Sequence, residues 1–235
     1  MQLIRFLPVL LLIASISDAQ PLEQKSPTVV MTQFSRLYIP EGFDDNDNIQ
    51  ILGAGMYPTT CYRNAETTVS VDEAQKRIQL NPTALYYSGI CLQVLLPFER
   101  VLDLGLLKAG TYSVFQNDSP NSIGQINVRH ALNSEPDDES YAPVSQVFVQ
   151  SKNAKTQVLI TGEMPTSCMK LKEIRVDVQN DVIVLLPIIE MKSQPCTPGK
   201  YAFESAKDLN VKPGRYLIHV RSMNGKSINN LVEIP

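Results

Sequence analysis

Residues 44–48 read Asp-Asp-Asn-Asp-Asn. Clustered carboxylate and amide oxygens are what a hard cation needs. Asp44, Asn46 and Asp47 are therefore candidate calcium ligands, and Asp44, Asp45 and Asp47 are candidate binding residues. The run lacks the glycine and terminal Glu of an EF-hand loop, so a solvated polar turn is the competing reading. No cofactor other than calcium is suggested. Tyr86 and Tyr87 are the second candidate site, because tyrosine offers rigid amphipathic contact area in binding loops.

Catalytic material is sparse. There are 2 His and no Trp. His219 sits between Ile218 and Val220 and is expected on the outward face of a strand. His130 precedes a polar segment. The chain contains no G-x-S-x-G, no P-loop and no G-x-G-x-x-G. No catalytic residue is assigned and the protein is not expected to be an enzyme. With 21 basic against 24 acidic residues and a net charge of -3, it has no electrostatic footprint for nucleic acid.

The first 19 residues read as a cleaved signal peptide. Arg5 opens it, a short apolar run follows, and Ser17-Asp18-Ala19 supplies small residues before Gln20. The apolar run is about half the ~20 residues a membrane-spanning helix needs. The mature protein is expected to be secreted or periplasmic and not membrane-spanning. That compartment favours disulfides, and the cysteine count is even at 4.

The elements that position these residues come twice. At an offset of 107, Gln50, Leu52, Gly55, Pro58, Thr59 and Cys61 fall on Gln157, Leu159, Gly162, Pro165, Thr166 and Cys168, and Val69 and Val71 fall on Val176 and Val178. At 105, Ile78, Leu80, Pro82 and Cys91 fall on Ile183, Leu185, Pro187 and Cys196. Phe98, Glu99, Asp103 and Leu104 then match Phe203, Glu204, Asp208 and Leu209. Gly110 and Tyr112 match Gly214 and Tyr216, and Ser122-Ile123 matches Ser227-Ile228. A repeat of this length is domain-sized. The chain divides into a signal peptide (1–19), a first domain (20–132), an acidic linker (133–142) and a second domain (143–235). Two copies of one fold should close equivalent bridges, Cys61–Cys91 and Cys168–Cys196; free thiols or a metal site are the alternatives.

Period-two alternation dominates both copies, as in Ile174, Val176 and Val178, so the fold class is all-β. Strands are predicted at 37–39, 49–52, 91–95, 123–128, 146–149, 157–160 and 228–234, besides a hairpin in each copy at Thr67–Leu80 and Ile174–Leu185. Gly110-Thr111-Tyr112 and Gly214-Arg215-Tyr216 each follow a tight turn. This motif resembles the tyrosine corner of immunoglobulin-like sandwiches. The chain resembles tandem immunoglobulin-like or fibronectin-type β-sandwich proteins exported by Gram-negative bacteria, without the core Trp and with closer cysteines than antibody domains. The resemblance implies two tandem sandwiches, one disulfide each, and an exported location; it implies no catalytic residues and no ligand. The acidic run also resembles the linker string of cadherins, but the further acidic motifs of those sites are missing.

The function expected is a non-enzymatic exported binding or structural protein. It would act through its loops on a protein or cell-surface partner. One alternative is a secreted enzyme inhibitor using the constrained loop from Pro82 to Cys91 as a wedge. Another is a glycan-active enzyme with paired carboxylates, against which the recurrence of Glu99 and Glu204 in both copies argues for structural roles.

Overall fold

A computed structural model describes residues 26–134, 137, 139–152, 155–192 and 195–235. The predicted signal peptide lies outside the described residues. Fifteen strands and no helix are found among them: β1 (Thr28–Met31), β2 (Arg36–Tyr38), β3 (Ile49–Tyr57), β4 (Tyr62–Asp72), β5 (Arg77–Tyr86), β6 (Leu96–Gly105), β7 (Gly110–Gln116), β8 (Gly124–Val128), β9 (Val144–Lys152), β10 (Lys155–Thr166), β11 (Met169–Gln179), β12 (Val182–Met191), β13 (Pro198–Leu209), β14 (Gly214–Ser222) and β15 (Lys226–Ile234).

These strands make two sandwiches of the same plan. In the first, a sheet ordered β2-β3-β6 packs on a sheet in which β5 pairs with β4, β7 and β1, and β7 with β8. In the second, β9-β10-β13 packs on β11-β12-β14-β15. Each larger sheet holds one parallel pair, β5 with β7 and β12 with β14, with Ile78 opposite Val114 and Ile183 opposite Ile218. Both disulfides close, Cys61–Cys91 with Cα atoms 5.4 Å apart and Cys168–Cys196 with 5.3 Å.

The shared residues explain the shared fold. Gly55 faces Phe98 across β3–β6, and Gly162 faces Phe203 across β10–β13. A Cβ at either glycine would collide with that ring, so glycine here makes room for the aromatic lying across it. Pro82 and Pro187 lack a ladder donor. Each sits beside a one-residue bulge in the neighbouring strand, between Asn64 and Thr67 in β4 and between Leu171 and Glu173 in β11. The hairpin turns need a left-handed residue, supplied by Lys76 (φ 50) and Asn180 (φ 56). Tyr112 donates from its hydroxyl to the Lys108 carbonyl at 3.0 Å, the tyrosine corner expected from sequence.

The last strands depart from the sequence match. Tyr112 lies opposite Ile126 and Tyr216 opposite Val232, an offset of 106. Ser122-Ile123 and Ser227-Ile228 are therefore not structural equivalents; the turn between the last two strands differs in length. The polar segment between the copies is also held. Ala142 donates to the Pro187 carbonyl at 2.7 Å and Ile189 to the Ser140 carbonyl at 2.9 Å, while Tyr141 bridges to Ile188. Residues 140–142 thus extend the edge of β12 where β1 extends the edge of β5: Thr32 donates to the Pro82 carbonyl in the same way.

The two sandwiches share a third core. Tyr38, Leu52 and Ala54 on the outer face of the β2-β3-β6 sheet pack against Val182, Val184 and Leu217 on the outer face of the β11-β12-β14-β15 sheet. The four sheets consequently stack as four layers. Polar contacts rim this seam: Gln50 Oε1 accepts from Ser227 Oγ and Asn229 Nδ2, both at 2.8 Å, and Arg36 pairs with Asp181 at 2.5 Å. His219 is the correction here. It does point away from its own core, but the first sandwich covers that face and leaves it 1% exposed.

Candidate functional site

The acidic run closes a joint between the sandwiches. Asp47 Oδ2 accepts the Asp44 N–H at 2.9 Å, and both of its oxygens meet Arg221 Nη1, at 2.9 and 3.0 Å. Asp45 turns the other way, to the Ala131 N–H at 2.8 Å and to His130 Nδ1 at 3.3 Å. Asp44 Oδ1 takes the Asn46 N–H at 3.2 Å, and Asn46 Nδ2 donates to the Asn133 carbonyl at 3.0 Å. Asp44, Asn46 and Asp47, the candidate calcium ligands, lie in a clasp between the first sandwich, the segment after β8 and strand β14. Among the described residues no group of three His, Cys, Asp or Glu is placed to hold a metal. Burial pushes the Asp47 carboxyl above the usual carboxylate range, against the opposing pull of Arg221. The Ala131 N–H and then His130 hold Asp45 below that range.

Tyr86 and Tyr87 stand at the root of a different feature. Tyr86 ends β5 and its ring lies tilted on Tyr62 at 5.2 Å; Tyr62 stacks on Tyr57 at 5.6 Å, and Tyr57 on Phe98 at 4.3 Å. Arg100 donates to the Tyr57 hydroxyl at 2.8 Å and to the Thr83 carbonyl at 2.6 Å, fixing the middle of this ladder. Both tyrosines are half-buried, so they pack as well as border the loop that follows them.

That loop runs through residues 87–95, past the Pro82–Cys91 stretch expected from sequence and through the predicted strand 91–95. The apolar alternation of 91–95 reads as a strand, yet these residues join no sheet. Ile90 is fully exposed, Leu92 and Leu95 are about two-thirds exposed, and Val94 about half. The loop is nonetheless held in shape. Tyr87 donates to the Cys61 carbonyl at 2.9 Å, Thr60 donates to the Leu92 carbonyl at 3.1 Å, and Leu92 donates to Thr60 Oγ1 at 2.9 Å. The Cys61–Cys91 bridge pins the middle.

The second sandwich has nothing like it. Between β12 and β13 lie only residues 192–197, three fewer than residues 87–95, and they carry no large apolar side chain. Beside the root of the apolar loop opens a cleft of about 540 Å³ walled by Tyr57, Tyr62, Phe98 and Leu96, with Arg63 and Glu99 at its rim. The tyrosines and guanidinium of this cleft are of the residue types enriched at interface hot spots, and the tethered apolar loop stands beside it. It can bind, and the tether lowers the ordering cost of doing so.

A family model described as the ORF11 beta-sandwich domain matches residues 54–128. Neither a curated protein nor a solved structure matches the chain. What the chain is similar to is thus a β-sandwich family, over the stretch of the first sandwich that carries loop 87–95.

Proposed function

We propose that this chain is an exported, non-enzymatic binding protein whose contact surface is loop 87–95 of its first sandwich. The observation that carries the reading is four large apolar side chains, Ile90, Leu92, Val94 and Leu95, held in water by a disulfide and main-chain bonds. Exposed apolar groups in a contiguous patch are costly to keep and mark interaction surfaces. The partner is a protein with an apolar groove at the cell envelope or outside it. The two bridges fit an oxidising compartment, and no helix among the described residues is long and apolar enough to cross a membrane.

Because the loop is convex and tethered, enzyme inhibition is the second reading, with the same residues as a wedge. The test places a photo-crosslinking residue at exposed Gln93, both in the otherwise wild-type chain and in an Ile90→Ser/Leu92→Ser/Leu95→Ser variant, and compares the captured proteins. The reading expects a defined partner that the variant loses at unchanged melting temperature. An unchanged capture pattern sinks it. Loss of activity of a captured enzyme would select the inhibitor reading.

A further inference from the structure

We propose that the second sandwich carries a soft-metal site made of methionine thioethers, Met169, Met191 and Met223, for a monovalent cation of the Cu(I) or Ag(I) type. The inference is independent of loop 87–95. Met169 opens β11 and Met191 closes β12, and the two are direct cross-strand partners, a relation that brings Cβ atoms to about 5 Å. Met223 follows β14 and packs on the same cluster, with Met164, 3% exposed, beneath it. Met169, Met191 and Met223 line one open cavity of about 430 Å³, together with Tyr141 and Glu139.

Comparison of the two copies sharpens the point. Met164, Met169 and Met191 occupy the positions of Tyr57, Tyr62 and Tyr86 in the first sandwich. There the three rings form the aromatic ladder; here the same scaffold carries methionines, of which Met169 and Met191 line the cavity and Met164 lies buried beneath them. Of 7 methionines in the chain, four gather at this one end of the second sandwich. Methionine that only fills a core gap keeps its sulfur inside. Met191 instead is 58% exposed, and Met169 and Met223 are half-buried, so all three lining side chains are open to solvent.

The chemistry selects the ion. Thioethers are soft, neutral donors that favour Cu(I) over hard cations. With all four cysteines in disulfides, thioethers are the soft ligands left to this protein. They carry no proton to displace, so binding should not depend on pH, unlike a site of histidines or carboxylates. Glu139, already paired with Arg175 at 2.8 Å, keeps a carboxylate at the mouth.

The experiment titrates the full mature chain with Ag(I), and with Cu(I) against a chromogenic chelator. It follows the methionine methyl signals by NMR. One equivalent should bind, shifting Met169, Met191 and Met223 and leaving Met31 and Met56 in place, with affinity flat between about pH 5 and 8. The volume-conserving variant Met169→Leu/Met191→Leu/Met223→Leu should lose about 100-fold in affinity, and Met31→Leu/Met56→Leu should lose none. No binding tighter than about 0.1 mM, shifts spread equally to Met31 and Met56, or an affinity falling steeply with acid would each overturn the proposal. The methyl shifts need no variant, so the test stands even if the triple substitution fails to fold.

Discussion

Arg221 of the second sandwich grips Asp47 of the first through both carboxylate oxygens, at 2.9 and 3.0 Å, with both side chains almost wholly buried. The guanidinium also donates to the Gly42 carbonyl at 2.8 Å and lies 5.2 Å from the Phe43 ring centre. Removing one partner leaves an uncompensated buried charge, which costs about 3–5 kcal/mol, whereas replacing both with apolar groups can be neutral. Asp47→Ala should therefore destabilise the protein by several kcal/mol in urea unfolding. Asp47→Leu/Arg221→Met should recover much of that loss. A double variant as unstable as the single one would mean that the pair is not what joins the sandwiches here.

His219 sets an acid limit on the same seam. Its Nδ1 donates to Asn229 Oδ1 at 2.7 Å, while Nε2 is buried and has no hydrogen-bond partner among the described residues. Burial first, and then the nearby Arg221 charge, lower its pKa from 6.5 to about 4, against the pull of the Asn229 bond. The unfolded chain thus takes up this proton near pH 6.5 and the folded chain only near 4. The stability held by the neutral ring is complete above 6.5 and is lost as pH falls toward 4, to a limit of roughly 3 kcal/mol. His219→Gln should flatten the stability profile between pH 6.5 and 5 relative to wild type. Parallel profiles would show that the ring does not titrate with unfolding.

The tyrosine corner offers a comparison within one chain. Tyr112 is fully buried, bonds to the Lys108 carbonyl and receives Lys76 Nζ at 3.1 Å. Tyr216 is half-buried, and no hydrogen bond of its hydroxyl is seen among the described residues. Tyr112→Phe should cost about 1 kcal/mol or more and Tyr216→Phe close to nothing, read from urea midpoints. Equal costs would show that the hydroxyl bond is not what distinguishes them.

The apolar seam should make the two sandwiches unfold as one. Leu217 is completely buried between them, so Leu217→Ala should cost about 2–5 kcal/mol. Calorimetry of the wild type should show a single transition, and the variant should split it or lower it as a whole. Two wild-type transitions with Leu217→Ala moving only one would show that the seam does not couple them.

Much of this was legible in the sequence, because alternation and recurring identities both report on contacts inside one sandwich. The hairpins, both disulfide pairs and the Tyr112 corner are of that kind. The seam was not, because a residue that faces outward from its own sandwich, such as His219, carries no mark of the neighbour that covers it. One signal was present: Val182 to Ile189 runs apolar without alternation, as a strand covered on both faces must, whereas its equivalent in β5 alternates. Residues 91–95 failed in the other direction. Their apolar spacing suits a strand, but the disulfide and the Thr60 contacts turn them away from any sheet edge. The methionine cluster gave no periodic signal at all, since its four members come from the ends of four separate strands, β10, β11, β12 and β14.

Each disulfide also has a place in time. Cys61 and Cys91 flank the open end of the β4–β5 hairpin, where Tyr62 pairs with Tyr86, and Cys168 and Cys196 flank β11–β12, where Met169 pairs with Met191. A hairpin is a local structure that closes in microseconds, whereas the parallel partner of each second strand must return after a crossover through the opposite sheet. The cysteines meet before β7 or β14 need arrive. Each bridge therefore fixes the register of the hairpin it closes independently of β7 or β14, and a chain in which it has formed offers their non-local pairing a fixed edge.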